Sequence, residues 1–529
     1  MRANLFASRG ARPAPALLVL GLLLATAGCK VTADDIDHWK GTVKGPGKIV
    51  AVLLAERYPI ELRTRAALAL VEMERDDVNG VGELQRAIDQ INGTDPQTAQ
   101  RIIDGMVDGL KSMMRGGDDA NQSEDLGPPL SQTRAKDAAY LLMAYASPQA
   151  QQQLMEAILG WYTVDFAKRS LAGDYSVEQM VRSLGAPAAS LLVDAMNSHQ
   201  PQQALVKIAQ LISQLGNDEA KARAAQRLVE IEREMESDEF IDWLKSEIAE
   251  SLQQQGRTLS DDRLRAIAIH NRETFLNDGA LAAMKHLASQ EPVRNRLLEI
   301  ATAAPAANAP DFAKEAIHTR RQRALQALEG NATEDQLQAL LNIALDETNP
   351  INVRDYAFDR VGDIRSRAAI PRLWPLVANA DNNTIKKRLR WRAGELVLAI
   401  GGPEIVGEFL TRLPTEAGVE YEPEELEGYA TKMSTMTPQP TRLLERQLRS
   451  PHWFVRVIAL RFFERRGTRD DIPKLRRLVR DDTETVGDGW AGLELPTVGK
   501  VAENAIGGLE ERLAGPQATA DANMQPARP

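Results

Sequence analysis

The only cysteine of the 529-residue chain, Cys29, has the clearest chemical potential of any side chain in the sequence. Small residues occupy positions 26–28, and a leucine-rich apolar stretch occupies 16–25. No acidic residue precedes this stretch, and three basic residues do: Arg2, Arg9 and Arg12. A basic start, a short apolar segment and small residues before a cleavage point are typical of a secretory signal. The pattern therefore predicts that residues 1–28 are a signal peptide and that the mature chain begins at Cys29.

Small residues that end in a cysteine resemble the lipobox of bacterial lipoproteins. The resemblance implies a thioether-linked diacylglycerol on Cys29, with fatty acyl chains of the palmitate type, and cleavage just before this residue. Thr26 departs from the family, which prefers Leu three residues before the cysteine. The apolar stretch is too short to span a bilayer, since a spanning helix needs about 20 apolar residues. We therefore expect the acylated Cys29 to be the chain's contact with the lipid bilayer.

The residue after the cysteine bears on which membrane holds the protein. Lys30 stands there, whereas Asp at this place resembles the inner-membrane retention signal of enteric bacteria. The resemblance implies a lipid-anchored protein of the bacterial cell envelope, in the outer membrane and facing the periplasm. Because the rule depends on lineage, the inner membrane stays open as an alternative.

The composition restricts both the fold and the partners. The formal net charge is −10. Affinity for nucleic acid comes mainly from Lys and Arg that neutralise phosphates, so an exported acidic chain is not expected to bind nucleic acid. A single cysteine leaves no internal disulfide framework. Aromatic residues make up only 5% of the chain, whereas Ala and Leu, which favour helix, are plentiful. We expect an all-α fold stabilised by apolar burial.

A short pattern recurs along the chain: an aliphatic residue, an arginine, two variable residues, an alanine and an apolar residue four positions further on. Its four copies contain Arg63, Arg354, Arg390 and Arg456. The apolar and alanine positions fall three, four and seven or eight residues apart, so they share one helix face. Apolar segments such as 369–377 and 471–479 lie between the copies and predict second helices. Helix pairs that recur about every 36 residues indicate a solenoid.

This pattern resembles the HEAT-repeat family. The resemblance implies an α-solenoid of HEAT-like helix pairs, clearest over 313–513 and irregular in the middle of the chain. It also implies that the repeat arginines, by which we mean Arg63, Arg354, Arg390 and Arg456, are structural and make contacts between neighbouring repeats.

Shifts in composition divide the chain into segments. We expect the signal peptide (1–28), the lipidated cysteine and a tether (29–47), N-terminal HEAT-like helices (48–115), a flexible linker (116–129), an irregular helical block (130–302), a second linker (303–311), C-terminal HEAT repeats (312–513) and a disordered tail (514–529). The repeat period breaks between Arg390 and Arg456, and an insertion at 414–440 explains the gap. Residues 218–255 are predicted to form one long helix.

The sequence lacks the usual catalytic and metal-binding patterns. No two of its six histidines are three to five residues apart, as a metal pair on a helix requires. The serine-nucleophile motifs G-x-S-x-G and S-x-x-K are missing. We therefore predict no cofactor, no metal, no catalytic residue and no enzymatic activity. The carboxylate-rich segment 481–490 leaves a calcium loop open, although its spacing fits no calcium-loop template.

Charged runs in the C-terminal part define a candidate partner-binding surface. The candidate basic ridge consists of Lys386, Lys387, Arg388, Arg476, Arg477 and Arg480. The expected insertion carries the opposite charge at Glu416, Glu420, Glu422, Glu424, Glu425 and Glu427. Either the acidic insertion folds over the ridge, or the ridge binds an acidic partner. Charge runs of this kind are also common on solvated helix faces.

The leading functional hypothesis is a membrane-anchored scaffold for protein–protein interaction, because solenoids present long surfaces on which partner segments lie. Its protein partner is unknown. One alternative is an envelope enzyme or enzyme accessory factor similar to the HEAT-like lyases that attach cofactors to proteins. Another is a structural protein that binds the cell wall or an anionic polysaccharide.

Overall fold

The computed structural model describes residues 31–73, 78–116, 128–164 and 166–515. Within these ranges the regular secondary structure is helical, apart from one isolated antiparallel bridge between Thr485 and Thr497. The predicted all-α fold class is therefore confirmed. The predicted signal peptide, Cys29 and the tail beyond residue 515 lie outside the described residues.

The described residues divide into two compact units, the first ending at residue 223 and the second beginning at residue 224. The helices that begin in the first unit are α1 (Ala33–Trp39), α2 (Gly45–Leu54), α3 (Ile60–Glu72), α4 (Gly80–Thr94), α5 (Pro96–Arg115), α6 (Leu130–Leu142), α7 (Pro148–Val164), α8 (Phe166–Arg169), α9 (Val177–Leu184), α10 (Ala186–Asp194), α11 (Gln202–Leu215) and α12 (Asp218–Glu236).

The second unit continues from α12 with α13 (Asp238–Gln254), α14 (Asp261–Thr274), α15 (Ala282–His286), α16 (Glu291–Thr302), α17 (Asp311–Ala327), α18 (Leu337–Leu345), α19 (Ile351–Ile364), α20 (Ile370–Val377), α21 (Thr384–Gly401), α22 (Val406–Arg412), α23 (Pro423–Ser434), α24 (Thr441–Gln447), α25 (Trp453–Arg466), α26 (Ile472–Asp481), α27 (Asp488–Ala491) and α28 (Val498–Ala514). A π-helical turn, Phe275–Leu281, joins α14 to α15.

The first unit consists of stacked helix pairs. Helix α2 packs on α3, α4 on α5 and α6 on α7, while α3, α5 and α7 pack on one another in turn. Helix α5 shows why these segments begin where they do. Asp95 accepts a hydrogen bond from the Thr98 N–H at its start, and Pro96 stands in the first turn, where a missing N–H costs nothing.

The segment predicted as a tether, 29–47, contains α1 and the start of α2 instead of extended chain. Thr32 and Asp35 form a reciprocal capping box at the start of α1. Ile36 is fully buried. Lys40 Nζ lies 2.6 Å from a carboxylate oxygen of Glu72 in α3. One apolar residue and these polar contacts fix the short helix against α3, and the expected tether is correspondingly shorter.

The second unit is a HEAT-like α-solenoid from α16 onward. Helix α16 pairs with α17, α18 with α19, α20 with α21, α24 with α25, and α26 with α28. The second helices form a continuous layer in which α17, α19, α21, α23, α25 and α28 each pack on the next. The residues that line the two cavities described below lie on this layer, on the first helices beside it or on the segments that follow or precede these helices.

The segment predicted as an insertion, 414–440, instead supplies α23 to that layer. The buried positions of α21 recur in α23 after a shift of 36 residues: 389/390, 393/394 and 397/398 correspond to 425/426, 429/430 and 433/434. In this copy Glu425 occupies the aliphatic position, Leu426 the arginine position and Tyr429 the alanine position. All three signature residues are replaced, so the sequence pattern does not reveal this repeat.

The predicted single helix at 218–255 is two helices, α12 and α13. Ser237 has extended backbone and its hydroxyl accepts a hydrogen bond from the Phe240 N–H. Asp238 and Glu239 follow in the first turn of α13, where negative charge is favoured. This N-cap signal ends α12 and begins α13.

Candidate functional site

The repeat arginines Arg63 and Arg354 bond the end of the preceding helix in their own pair. Nε of Arg63 donates to the Leu53 carbonyl at 2.8 Å, and Nε of Arg354 donates to the Ala344 carbonyl at 2.9 Å. Carbonyls in the last turn of a helix have no partner within it. Each arginine therefore caps a helix and ties the two members of a pair together, whereas the resemblance implied a contact between neighbouring repeats.

A further arginine of this type, Arg321 on α17, escaped the sequence pattern. Its Nε donates to the Ala301 carbonyl at 2.9 Å, in the last turn of α16, and its side chain is buried. Arg320 precedes it where the other copies have an aliphatic residue. Spacing could have revealed it, because Arg321 precedes Arg354 by about one repeat and is followed by Ala324.

Arg390 and Arg456 make additional contacts with acidic residues of the next repeat. The Arg390 guanidinium binds both carboxylate oxygens of Glu425 at 2.8 Å. Nε of Arg456 lies 2.7 Å from the Asp482 carboxylate. Arg390 also donates to the Asn379 carbonyl, and Arg456 donates to the Ser450 carbonyl. Both carbonyls lie just after the first helix of the same pair. For these two arginines the implied contact between neighbouring repeats is present.

The first half of the candidate basic ridge is already ion-paired. Lys387 Nζ lies 2.9 Å from Glu420 and 2.6 Å from Glu422. The other two residues of this run also contact carboxylates, Lys386 with Glu347 and Arg388 with Asp355. Of the two alternatives, the acidic segment therefore covers part of the ridge, since it supplies the partners of Lys387 and Arg390.

The second half of the ridge lies on a different surface. Arg476 pairs with Glu510 at 3.1 Å, while the exposed Arg477 and Arg480 on α26 form no ion pair within the described residues. Lys387 and Arg388 line one cavity and Arg477 lines another. The six residues thus do not make one continuous ridge.

The larger of these cavities, which we call the central groove, has a volume of about 980 Å³. It runs across α17, α19, α21 and the start of α23, so four consecutive repeats contribute to it. Its lining combines charges of both signs with two aromatic rings: Gln322, Asn352, Asp355, Tyr356, Asp359, Thr384, Lys387, Arg388, Trp391, Arg392, Glu422, Glu424 and Glu425.

Asp355 is the unusual side chain of the central groove. It is only 9% exposed, and neither of its carboxylate oxygens accepts a hydrogen bond within the described residues. Burial raises its pKa above the ordinary value. Its ion-pair partner Arg388 is 54% exposed, so this guanidinium covers the carboxylate from the solvent side. A buried carboxylate with no hydrogen bond is costly to the fold, which favours a role in binding.

Trp391 forms the neighbouring wall of the groove. Its buried Nε1–H has no hydrogen-bond partner within the described residues. Gly428 allows the indole to lie against α23, because a Cβ at this position would stand 2.6 Å from Trp391 Nε1. The groove therefore owes its shape partly to the lack of a side chain at residue 428.

A buried lysine in the first unit has a structural role. Lys136 is fully buried, and its Nζ donates to the carbonyls of Ala172 and Tyr175, each at 2.7 Å. It also pairs with Asp137 at 2.6 Å. Burial lowers the pKa of Lys136 and raises the pKa of Asp137. Two hydrogen bonds to backbone carbonyls and one ion pair therefore allow Lys136 to fix the turn around Ala172.

The part of the chain that the structure describes contains no cluster of three His, Cys, Asp or Glu side chains arranged to hold a metal ion. Across the same residues, none of the helices combines the length and apolarity needed to traverse a bilayer.

Comparison with known proteins gives only structural matches. No protein-family profile matches the chain, and no curated protein sequence matches it. Kap121p bound to RanGTP is similar over 96% of this chain and 49% of its own, with 15% identity and a TM-score of 0.37. Kap121p bound to Pho4p is similar over 93% and 47%, with 14% identity and a TM-score of 0.34.

Importin beta in an ammonium sulfate condition is similar over 92% of this chain and 64% of its own, with 11% identity and a TM-score of 0.29. The chain spans about half the length of the Kap121p structures that it matches.

Proposed function

We propose that the protein is a lipid-anchored scaffold of the bacterial cell envelope that binds a segment of a partner protein in the central groove. The observation that carries the proposal is Asp355, a buried carboxylate in the groove wall whose ion-pair partner Arg388 is exposed. A cationic side chain of the partner would replace Arg388 at Asp355. This exchange supplies the carboxylate with directed hydrogen bonds that Arg388 does not give it.

The remainder of the groove suits a peptide segment better than a small reactive substrate. Tyr356 and Trp391 offer aromatic surface, and Asp359 and Arg392 form an ion pair beside them. Large aromatic side chains and arginine dominate the energetics of protein interfaces. Four repeats line the groove, so a bound segment would contact several helices at once, which is how solenoids hold partners.

Lipid anchoring rests on the sequence around Cys29. Helix α1 begins only four residues after this cysteine, and a chain rises at most about 3.6 Å per residue, so the helical part would begin within about 14 Å of the anchored sulfur. Together with the signal-like residues before Cys29, this supports a scaffold held close to a membrane surface. Lys30, which follows Cys29, supports the further proposal that this membrane is the outer membrane and that the protein faces the periplasm.

The test of the groove is co-purification from detergent-solubilised envelopes. We expect a partner protein to co-purify with the native chain and to be lost from Tyr356→Ala and Asp355→Asn chains, because the first change removes aromatic surface and the second removes the charge that binds the partner's cation. Glu404→Gln, which removes the same charge from an exposed residue outside the groove, is the matched control. Equal recovery of the same partner by all four chains would contradict the assignment of the groove.

A further inference from the structure

A second cavity, between α24 and α26, is lined by arginines that form no ion pair with any described residue. The cavity, which we call the arginine groove, has a volume of about 540 Å³. Four arginines line it: Arg442, Arg446, Arg449 and Arg477. The four arginines are exposed and form no ion pair within the described residues.

This lack of partners contrasts with the second-helix layer of the same unit. There Arg388, Arg392 and Arg461 each contact a carboxylate of another helix. In the arginine groove, Glu445 forms an ion pair with Lys474 at 3.0 Å. Asp481 is the other acidic residue among those that line the groove. The groove thus has four arginines and a single carboxylate, Asp481, that is not already ion-paired within the described residues. This local excess of positive charge occurs in a chain whose net charge is −10.

We propose that the arginine groove binds an extended acidic peptide segment of a partner protein. Guanidinium groups match carboxylates with two parallel hydrogen bonds, which a point charge cannot do. Leu448 is buried and Leu478 half-buried, and both line the cavity with the arginines. A segment in which acidic residues alternate with apolar ones fits a groove of this composition.

The spacing of the arginines also fits an extended chain. Arg442 and Arg446 lie one helical turn apart on α24, which is about 6 Å along the axis. Side chains on the same face of an extended strand recur every second residue, about 6.6 Å apart. Acidic residues at positions i and i+2 of the ligand would therefore meet successive arginines. An anionic bilayer presents a flat surface, whereas an extended chain can lie in a cavity between two helices.

The proposal is tested with a nine-residue, fluorescein-labelled peptide of alternating Glu and Leu, whose binding to the full chain is followed by fluorescence anisotropy. We expect binding that weakens with salt and falls about tenfold or more in the triple variant Arg446→Gln, Arg449→Gln and Arg477→Gln, because each removes a charge-assisted contact. The control triple variant, Arg323→Gln, Arg367→Gln and Arg412→Gln, removes the same charge from exposed, ion-paired arginines.

Equal loss in both triple variants would overturn the proposal, because it would show a response to net charge alone. Absence of peptide binding, with binding to phosphatidylglycerol vesicles by a Cys29→Ala chain, would overturn it in favour of a membrane contact. The central groove is unchanged in both triple variants, so this test is independent of the proposed function.

Discussion

Arg390 and Glu425 form a fully buried, two-bond ion pair that joins two successive helices of the solenoid layer. The side chain of Arg390 is 0% exposed and that of Glu425 is 2% exposed. The remaining polar atoms also have partners, since Arg390 donates to the Glu420 carbonyl at 2.6 Å and Tyr429 donates to Glu425 at 2.9 Å. The Arg390 guanidinium lies 4.6 Å from the centre of the Tyr421 ring. The pair thus fixes α23 against α21 beside the central groove.

Removal of one member of this pair should destabilise the second unit strongly. Glu425→Gln keeps the shape of the side chain but leaves the Arg390 charge buried without a counter-charge, and we expect the free energy of unfolding to fall by about 3 kcal/mol. Arg412→Gln, which breaks an exposed pair with Glu408, is the control and should cost less than about 1 kcal/mol. Denaturant unfolding measures both losses. Equal losses would show that the buried ion pair contributes no more to the free energy of unfolding than the exposed one.

The helix-capping arginines should contribute similar amounts to the stability of the fold, although the sequence pattern reveals only some of them. Arg354→Met and Arg321→Met each keep an unbranched chain but leave a helix-end carbonyl unpaired, which costs about 1–3 kcal/mol. Arg323→Met, on the exposed face of α17, is the matched control. Thermal unfolding of the three variants checks this. An Arg321→Met chain as stable as the native one would mean that the Arg321 bond to the Ala301 carbonyl does not contribute to stability.

Asp355 should act against stability at neutral pH. Burial raises its pKa above the ordinary value of 3.8, so the folded state holds the proton more tightly than the unfolded state does. The unfavourable contribution is therefore fully present above the raised pKa and vanishes as the pH falls below 3.8.

We expect Asp355→Asn to raise the free energy of unfolding at pH 7 by about 1 kcal/mol, with the gain shrinking on acidification. The same variant should lose the partner protein. Denaturation at several pH values checks the first part, with Asp359→Asn as the control on the same helix. A gain that is independent of pH would show that charge burial is not its cause.

Cys29 should be the only site of lipid attachment. Metabolic labelling with an alkyne analogue of palmitate should label the native chain, and Cys29→Ser should abolish the label and release the protein from the membrane fraction. Because the sequence has no other cysteine, the variant contains no thiol that could be acylated. Membrane association that persists without the label would mean that another part of the chain contacts the membrane.

Arg354 and Arg390 illustrate what the sequence could predict, because their copies of the pattern retain the aliphatic, arginine and alanine residues that define a helix face. The repeat at α23 could not be found in this way. The pattern predicts an aliphatic residue followed by a charged one, whereas here the charged Glu425 is followed by the aliphatic Leu426. A glutamate can be buried at this position because it pairs with Arg390 of the preceding repeat. Helix α1 escaped prediction for a related reason, since one buried residue, Ile36, fixes it through packing against α3.

The candidate site was predictable only as a concentration of charge. Sequence runs show where lysine and arginine occur, but not which carboxylates reach them from other repeats. From the sequence, Lys387 and Arg477 are both expected to be exposed basic residues. In the structure Lys387 has two acidic partners, whereas Arg477 has none within the described residues. The central groove itself requires side chains from four repeats, a relationship that linear spacing does not contain.

The most direct test of the scaffold account is site-specific photo-crosslinking in intact cells. A benzoylphenylalanine placed at Tyr356 in the central groove should give a discrete adduct with one partner protein, and the same probe at the exposed Leu171 of the first unit should not. No adduct at Tyr356, or the same adducts at both positions, would contradict the claim that the central groove holds a partner segment.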